Sequence, residues 1–502
     1  MIDKIFKRAI RDIAIYFPSK VFPALISLVT IPIYARLFQP EEYGILSVIN
    51  VFITAGSITV GNWLTSSVLR FLPFYRINNL LSRFFSTLFF ALVLSITTFL
   101  IFCLPINYFL RFTVNDKILG LLPLAAFIIS ISCLFNILQT ILRTDQKAKQ
   151  FVFVELSNIS GGLTVGLILV LYFGFNVEGI LWGSAITMLI VSLYILKTIL
   201  YDYNVNIGIS HISKKTLKNF ASYGLPGGVA TIGTWLLSVS DRYIIEISRG
   251  TAEVGIYSMS YSISDKSINL VVSSLMLAIS PILINTWESE NRKFTSQLLE
   301  HITRLTLVLV IPMVAGLSIL GIPIFQVLTT EKYLAGVRLI PWIASGSLLY
   351  GLSLLAYTGL ILKKKTITMA RNYLLAGGAN VALNLLLVPK IGYLAAAVNT
   401  SISYAILLTL NIYSVIPFLP WPFPWKTLFR VSLAASGMGF VLFFLSKLFI
   451  QPYINLIACT LVGVVLYGVF LLLSGEFSEI EKESILSLIK QVKIMSSRKG
   501  LE

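Results

Sequence analysis

Fourteen apolar runs, each long enough to cross a bilayer, constrain this 502-residue chain more than any other feature. A helix of about 20 residues spans the hydrocarbon core, where only helices and closed barrels satisfy their own backbone groups. The runs lie at roughly 10–38, 43–70, 83–110, 118–143, 150–173 and 178–200, then 218–248, 254–286, 297–320, 335–362, 368–389 and 392–417, and finally 430–450 and 453–475. Charged residues make up 12% of the chain, about half the share in a soluble protein. A soluble multidomain enzyme is excluded, and the fold class is all-α integral membrane with about 14 transmembrane helices.

The net charge of +17 would point to nucleic acid in a soluble chain. Here it follows membrane topology. With both termini cytoplasmic, 27 of the 39 Lys and Arg fall in the termini and cytoplasmic connections and 8 on the other side, as the positive-inside rule requires. The basic start lacks a small-residue cleavage site and reads as an uncleaved first helix. In the tail, Ile485, Leu488, Ile489 and Val492 follow helical spacing among Lys490, Lys493, Arg498 and Lys499. This fits a helix on an anionic leaflet or a solvated tail. Cys103, Cys133 and Cys459 sit in apolar runs, and His211 and His301 are isolated, so neither a disulfide framework nor a metal site is expected.

The chain repeats itself. Pro18, Gly44 and Pro73 correspond to Pro226, Gly255 and Pro281, and EEYGILS matches AEVGIYS around the central glycine. SGGLTVGLILVLYFGFNVEGILWGSAIT likewise resembles AGGANVALNLLLVPKIGYLAAAVNTSIS, with two extra residues in the first turn. An even number of helices per copy preserves orientation, which gives two six-helix bundles, 1–200 and 218–417, in pseudo-two-fold arrangement about the membrane normal. Two helices (427–475) and a cytoplasmic amphipathic tail (476–502) follow. Pro18, Gly44, Pro226 and Gly255 are the hinge candidates, since proline kinks and glycine turns bend helices most easily.

Ser258, Ser262, Asp265, Asn269 and Ser273 share one face of the eighth helix, with Lys266 beside them. Ser47, Asn50, Thr54, Ser57, Gly61 and Thr65 share a face of the second. Such faces line a wet cavity or hydrogen-bond neighbouring helices. Charges inside a membrane are costly and need a reason. The candidates are Lys20, Glu155, Asp241, Arg242, Glu246, Asp265, Lys266 and Arg304. The four-residue spacing of Arg242 and Glu246 permits a pair, and Arg70 and Arg304 can reach a membrane surface.

YARLFQPEEYGILSV, SDRYIIEI and AEVGIYSMSYSIS resemble segments of polysaccharide repeat-unit flippases of the multidrug/oligosaccharidyl-lipid/polysaccharide (MOP) exporter superfamily. The resemblance implies a non-enzymatic flippase of the cytoplasmic membrane. Its cargo would be an undecaprenyl-diphosphate-linked oligosaccharide, with membrane lipid, a polysaccharide polymerase and a chain-length regulator as partners and no nucleic acid. In such a protein Lys20, Arg70, Lys266 and Arg304 fit diphosphate binding, and Glu155, Asp241, Arg242 and Asp265 fit coupling or gating. No cofactor is implied; a proton or sodium gradient is the energy source left open. The competing readings are a flippase for the peptidoglycan precursor lipid, a multidrug cation antiporter, and a membrane enzyme that polymerises lipid-linked sugars. A cation antiporter needs acids in its cavity, and the enzyme needs a large outer loop.

Overall fold

The computed structural model of the protein describes residues 18–110, 115–289 and 291–476. These residues form α1 (Pro18–Leu37), α2 (Pro40–Ile77), α3 (Leu81–Leu110), α4 (Asp116–Thr144), α5 (Ala148–Phe173), α6 (Val177–Tyr203), α7 (Lys214–Ser238) and α8 (Ser240–Arg249). The chain continues through α9 (Thr251–Glu288), α10 (Arg292–Ile319), α11 (Gly321–Leu328), α12 (Ile340–Leu362), α13 (Thr366–Ile391), α14 (Tyr393–Val415), α15 (Trp425–Leu445) and α16 (Pro452–Leu473). Among the described residues, 12 helices are long and apolar enough to cross a membrane. The protein is therefore an all-α, multi-pass membrane protein. The amphipathic tail lies outside the described residues, as do the side chains of Pro18, Lys20 and Pro226.

Local chemistry sets the helix ends. Pro40 opens α2 at a position where its missing N–H costs nothing, and the Gln39 N–H donates to Glu42 Oε2 at 2.8 Å. The α4–α5 and α12–α13 connections are the same turn. Gln146 and Lys364 take φ of 56° and 57°, and Lys147 and Lys365 each donate to the carbonyl five residues back, on Leu142 and Leu360. Gly174 and Gly392, after α5 and α13, both take positive φ. The first of these two connections is longer, as the extra residues in that sequence copy require.

Small residues let helices approach closely. A Cβ on Gly183 of α6 would lie 2.2 Å from the Gly166 backbone of α5. Away from such seams, large apolar side chains such as Leu171, Phe173, Leu461 and Val464 point outward, where lipid is their natural solvent.

The end of the molecule at Pro40 joins the two halves of the chain. One core holds Ile45, Ile49, Ile118 and Leu121 from the first half with Ile244, Val254 and Tyr257 from the second. Arg36 donates to the Val327 carbonyl at 3.1 Å, and Tyr333 to the Phe38 carbonyl at 3.1 Å. A Cβ on Gly44 would lie 1.9 Å from the Thr251 carbonyl oxygen, and one on Gly255 would lie 1.8 Å from that of Pro40. α2 and α9 run unbroken through these glycines. Gly44 and Gly255 are thus points of backbone contact between helices. The break in the seventh span comes at Val239 (φ −140°, ψ −13°), between α7 and α8, while α7 stays helical through position 226.

Candidate functional site

α1, α2, α9 and the break at Val239 enclose a polar cavity of about 280 Å³. Helical periodicity puts Tyr43, Ser47, Asn50 and Thr54 of α2 on one wall and Ser258, Ser262 and Lys266 of α9 on the other. The Tyr43 hydroxyl and Ser262 Oγ meet at 3.4 Å across it. Both polar faces read from the sequence contribute to these walls.

The break at Val239 shapes the charge here. Arg242 lines the cavity, and its Nη1 reaches the Ser238 carbonyl at 3.1 Å and Asp241 Oδ1 at 3.2 Å. Its guanidinium stands over the Tyr261 ring, 4.9 Å from the centroid, a favourable cation–π placement. Asp241 is 1% exposed and accepts from the Arg242 backbone N–H at 2.8 Å and from the Tyr257 hydroxyl. Such a buried pair persists because its remaining lone pairs are hydrogen-bonded. The permitted Arg242–Glu246 pair does not form, because Arg242 turns back to its neighbour.

Asp265 and Lys266 diverge, as adjacent residues on a helix must. Asp265 accepts from Ser347 of α12 at 2.7 Å and from Asn269 at 3.5 Å. Lys266 faces the cavity and has no hydrogen bond or ion pair among the described residues. It is a cation on a polar wall whose neighbouring carboxylate, Asp265, is turned to Ser347 and Asn269.

The other sequence candidates lie elsewhere. Glu155 of α5 accepts from Gln139 of α4. Arg70 is exposed on α2 outside the cavity wall. Arg304 sits near the middle of α10 and is held by Glu476, Nε to Oε1 at 2.7 Å, with Thr427 sharing that carboxylate at 2.6 Å. Lys20 falls outside the described side chains. Sequence reasoning missed Tyr257, Tyr261 and Tyr404, the last two joined at 3.1 Å. It also missed a buried amide chain in which Asn399 donates to Asn384 (2.9 Å), Asn384 to Asn380 (3.0 Å) and Asn380 to Thr400 (3.2 Å). The four-residue spacing of Asn380 and Asn384 inside an apolar run was the available signal.

A second, apolar cavity of about 720 Å³ lies among α2, α3, α4, Trp235 and Tyr243. Val51 belongs to the walls of both cavities. A polar chamber and an apolar one therefore stand side by side.

Over residues 33–338 the chain matches the family described as polysaccharide biosynthesis protein. It is 21% identical over 492 residues to an uncharacterized membrane protein of Methanocaldococcus jannaschii, covering 93% of this chain and 95% of that one. It is 22% identical over 278 residues to the probable low-salt glycan biosynthesis flippase Agl15 of Haloferax volcanii, covering 55% of this chain and 58% of that one. Its fold resembles the lipid II flippase MurJ in an inward closed conformation, with TM-score 0.72, 19% identity, and coverage of 90% of this chain and 96% of that one. It also resembles an inward-facing multidrug resistance MATE family transporter of the MOP superfamily, with TM-score 0.65, 13% identity, and coverage of 79% and 94%. The chain belongs to the polysaccharide biosynthesis protein family and has the multi-spanning membrane fold of the MurJ and MATE structures.

Proposed function

We propose that this protein moves a lipid-linked saccharide with a phosphate-bearing headgroup across the cytoplasmic membrane by alternate opening of its two ends. The observation that carries this reading is Lys266, unpaired on the wall of a polar cavity that adjoins an apolar one. An amphiphile with an anionic head needs both chambers. A cation in a low-dielectric cleft stabilises phosphate more strongly than it would in water. Arg242, already neutralised by Asp241, supplies hydrogen bonds and shape more than net charge. Lys20 joins this set as a sequence candidate on α1, which also supplies Thr30 and Tyr34 to the cavity wall. Asp241, Asp265 and Glu155 are the carboxylates available for coupling to an ion gradient, and the break at Val239 is the added hinge.

The family description and the name of the Haloferax relative favour an oligosaccharide unit for a surface glycan. The high similarity to the lipid II flippase fold supports a second cargo reading, a peptidoglycan precursor lipid. The topology proposed with this function has fourteen spans and cytoplasmic termini. It has two six-helix units (1–200 and 218–417) and two further helices (427–475), and the repeated turns at Gln146 and Lys364 support the duplication.

The test uses purified protein in liposomes with fluorescent polyprenyl-diphosphate oligosaccharide or a lipid II analogue in one leaflet. Protein-dependent loss of leaflet asymmetry is expected, with the faster of the two lipids naming the cargo. Lys266→Glu should reduce the initial rate at least about tenfold, since it replaces attraction by repulsion. Equal rates with and without protein for both lipids would refute the reading.

A further inference from the structure

A cleft between α10 and α15 holds two further cavities, placed end to end. The first, of about 640 Å³, is lined by Glu300, His301 and Arg304 of α10 and by Trp425, Lys426 and Thr427 at the start of α15. The second, of about 700 Å³, is lined by Ile311, Val314 and Ile319 of α10, Leu348 of α12, and Leu428 and Phe440 of α15. Thr427 and Leu428 are consecutive, so the wall of one cavity passes directly into the wall of the other. On both helices the numbering rises from the first cavity to the second, so α10 and α15 run the same way along the cleft. Neither cavity shares a lining residue with the polar chamber around Lys266 or with the apolar one beside it.

The two cavities differ in chemistry, and they follow one another in the order of a bilayer. The acids at the first, Glu300 and Glu476, are outnumbered by Arg304, Lys426 and Arg430, which leaves net positive charge. Arg304 and Arg430 are both turned to Glu476, whereas Lys426 is exposed and makes no hydrogen bond or ion pair among the described residues. Trp425, 70% exposed, stands at the rim with its ring 4.6 Å from that of Phe423, and Trp421 donates from Nε1 to Thr303 at 2.9 Å. Tryptophans gather at the level of lipid headgroups. No charged side chain lines the second cavity. Ile319 lies eight residues beyond Ile311, about 12 Å along the helix at 1.5 Å per residue. That depth fits within the roughly 15 Å of hydrocarbon in one leaflet.

We propose that this cleft binds a glycerophospholipid with an anionic headgroup, its phosphate beside Lys426 and one acyl chain in the groove beyond Leu428. The lipid comes from the leaflet in which α10 and α15 begin, the cytoplasmic one in the topology above. A lysine at headgroup level attracts anionic lipid. A zwitterionic lipid fills the same groove but gains less, because its own ammonium group repels Lys426. The bound lipid ties α10 to α15 beside the Glu476 link and stands apart from the chamber assigned to the cargo, so the inference does not rest on the transport reading.

The test titrates the full chain, purified and delipidated in detergent, with dioleoyl phosphatidylglycerol or dioleoyl phosphatidylcholine, and native mass spectrometry reads the first bound lipid. Phosphatidylglycerol should bind at least about fivefold more tightly than phosphatidylcholine. Lys426→Glu should weaken phosphatidylglycerol about tenfold and change phosphatidylcholine less than about twofold. Unchanged phosphatidylcholine binding in that variant also shows that it is folded. Ser436→Phe places a ring in the groove from an exposed position of α15 and should weaken both lipids alike. Glycerol phosphate in excess should not displace the lipid, because the acyl chain contributes to binding. Equal affinity for the two lipids would overturn the site, as would a preference for phosphatidylglycerol that survives Lys426→Glu. Displacement by glycerol phosphate would reveal a phosphate site that needs no acyl chain, and displacement by polyprenyl diphosphate at equal concentration would give the cleft to the cargo; either would overturn the proposal. The measurement involves no transport, so failure here leaves the transport reading standing, and failure to move lipid in liposomes leaves this site standing.

Discussion

α2 and α9 occupy matching places, and they differ where it matters. Each is 38 residues long, and each carries a glycine four residues after its first. The contact they make is reciprocal: Gly44 meets the carbonyl of Thr251, and Gly255 meets that of Pro40. Their cavity walls are unequal. α2 presents Tyr43, Ser47, Asn50 and Thr54, all uncharged, whereas α9 presents Ser258, Ser262 and Lys266. The seam that shuts one end is symmetric in backbone, because close helix approach tolerates only the smallest residue on either side. Charge is free to differ, since one cation serves a cavity shared by both walls. Symmetry therefore belongs to the closing surface and asymmetry to the ligand surface.

The largest effect should come from breaking the seam. Gly44→Ala and Gly255→Ala each drive a Cβ within 2 Å of a backbone carbonyl oxygen, which cannot rotate away as a side chain would. Each is expected to abolish transport. The two effects should match, and the double variant should be no worse than either single one, because the contact is already lost. One glycine tolerating alanine while the other does not would show that the seam is not reciprocal.

The next effect sharpens the asymmetry. Lys266→Ala should slow initial transport about tenfold, and Lys266→Arg should retain most of the rate, because the charge and not the ammonium shape is required. Asn50 lines the same cavity from the opposite wall. Adding Asn50→Lys to Lys266→Ala therefore moves the charge across the cavity and should restore part of the rate. No recovery in that double variant would mean that the wall bearing the cation matters as much as the cation.

Much of this was legible in the sequence, for identifiable reasons. Apolar runs fixed the helices because lipid admits few alternatives. The faces at Ser47, Asn50 and Thr54 and at Ser258 and Ser262 followed from a 3.6-residue period. The equivalence of Gly44 and Gly255 was visible too, but not their contact with the carbonyls of Thr251 and Pro40, because a glycine reads alike in a bend and in a close crossing. The break at Val239 lies between Ser238 and Ser240 and just before Asp241, residue types common at helix starts, but a proline at 226 is the stronger breaker on paper. That break lets Arg242 reach Ser238 and Asp241, so a pairing rule for unbroken helices failed at Glu246. The partner of Arg304 was hidden for another reason: Glu476 is 172 residues away, a distance across which no local pattern speaks.

Arg304 provides the smallest test and the sharpest contrast with Lys266. Both are cations placed inside apolar runs, yet one faces the polar cavity and the other is paired with Glu476. Glu476 has a 2% exposed side chain and holds Arg304 at 2.7 Å and Arg430 at 3.6 Å, so it ties α10 to α15 just beyond the end of α16. Arg304→Ala removes one partner, but Arg430 and Thr427 still serve the carboxylate, so the loss is near that of a single charged hydrogen bond, about 1–3 kcal/mol. The expected result is a modest fall in the fraction that survives heating in detergent, with initial transport changed less than about twofold, below the effect of any cavity charge. Glu476→Gln should lower heat survival further, because it leaves two guanidinium groups without their shared counter-charge. A tenfold loss of transport in Arg304→Ala at normal heat survival would instead place Arg304 with Lys266 on the path of the cargo.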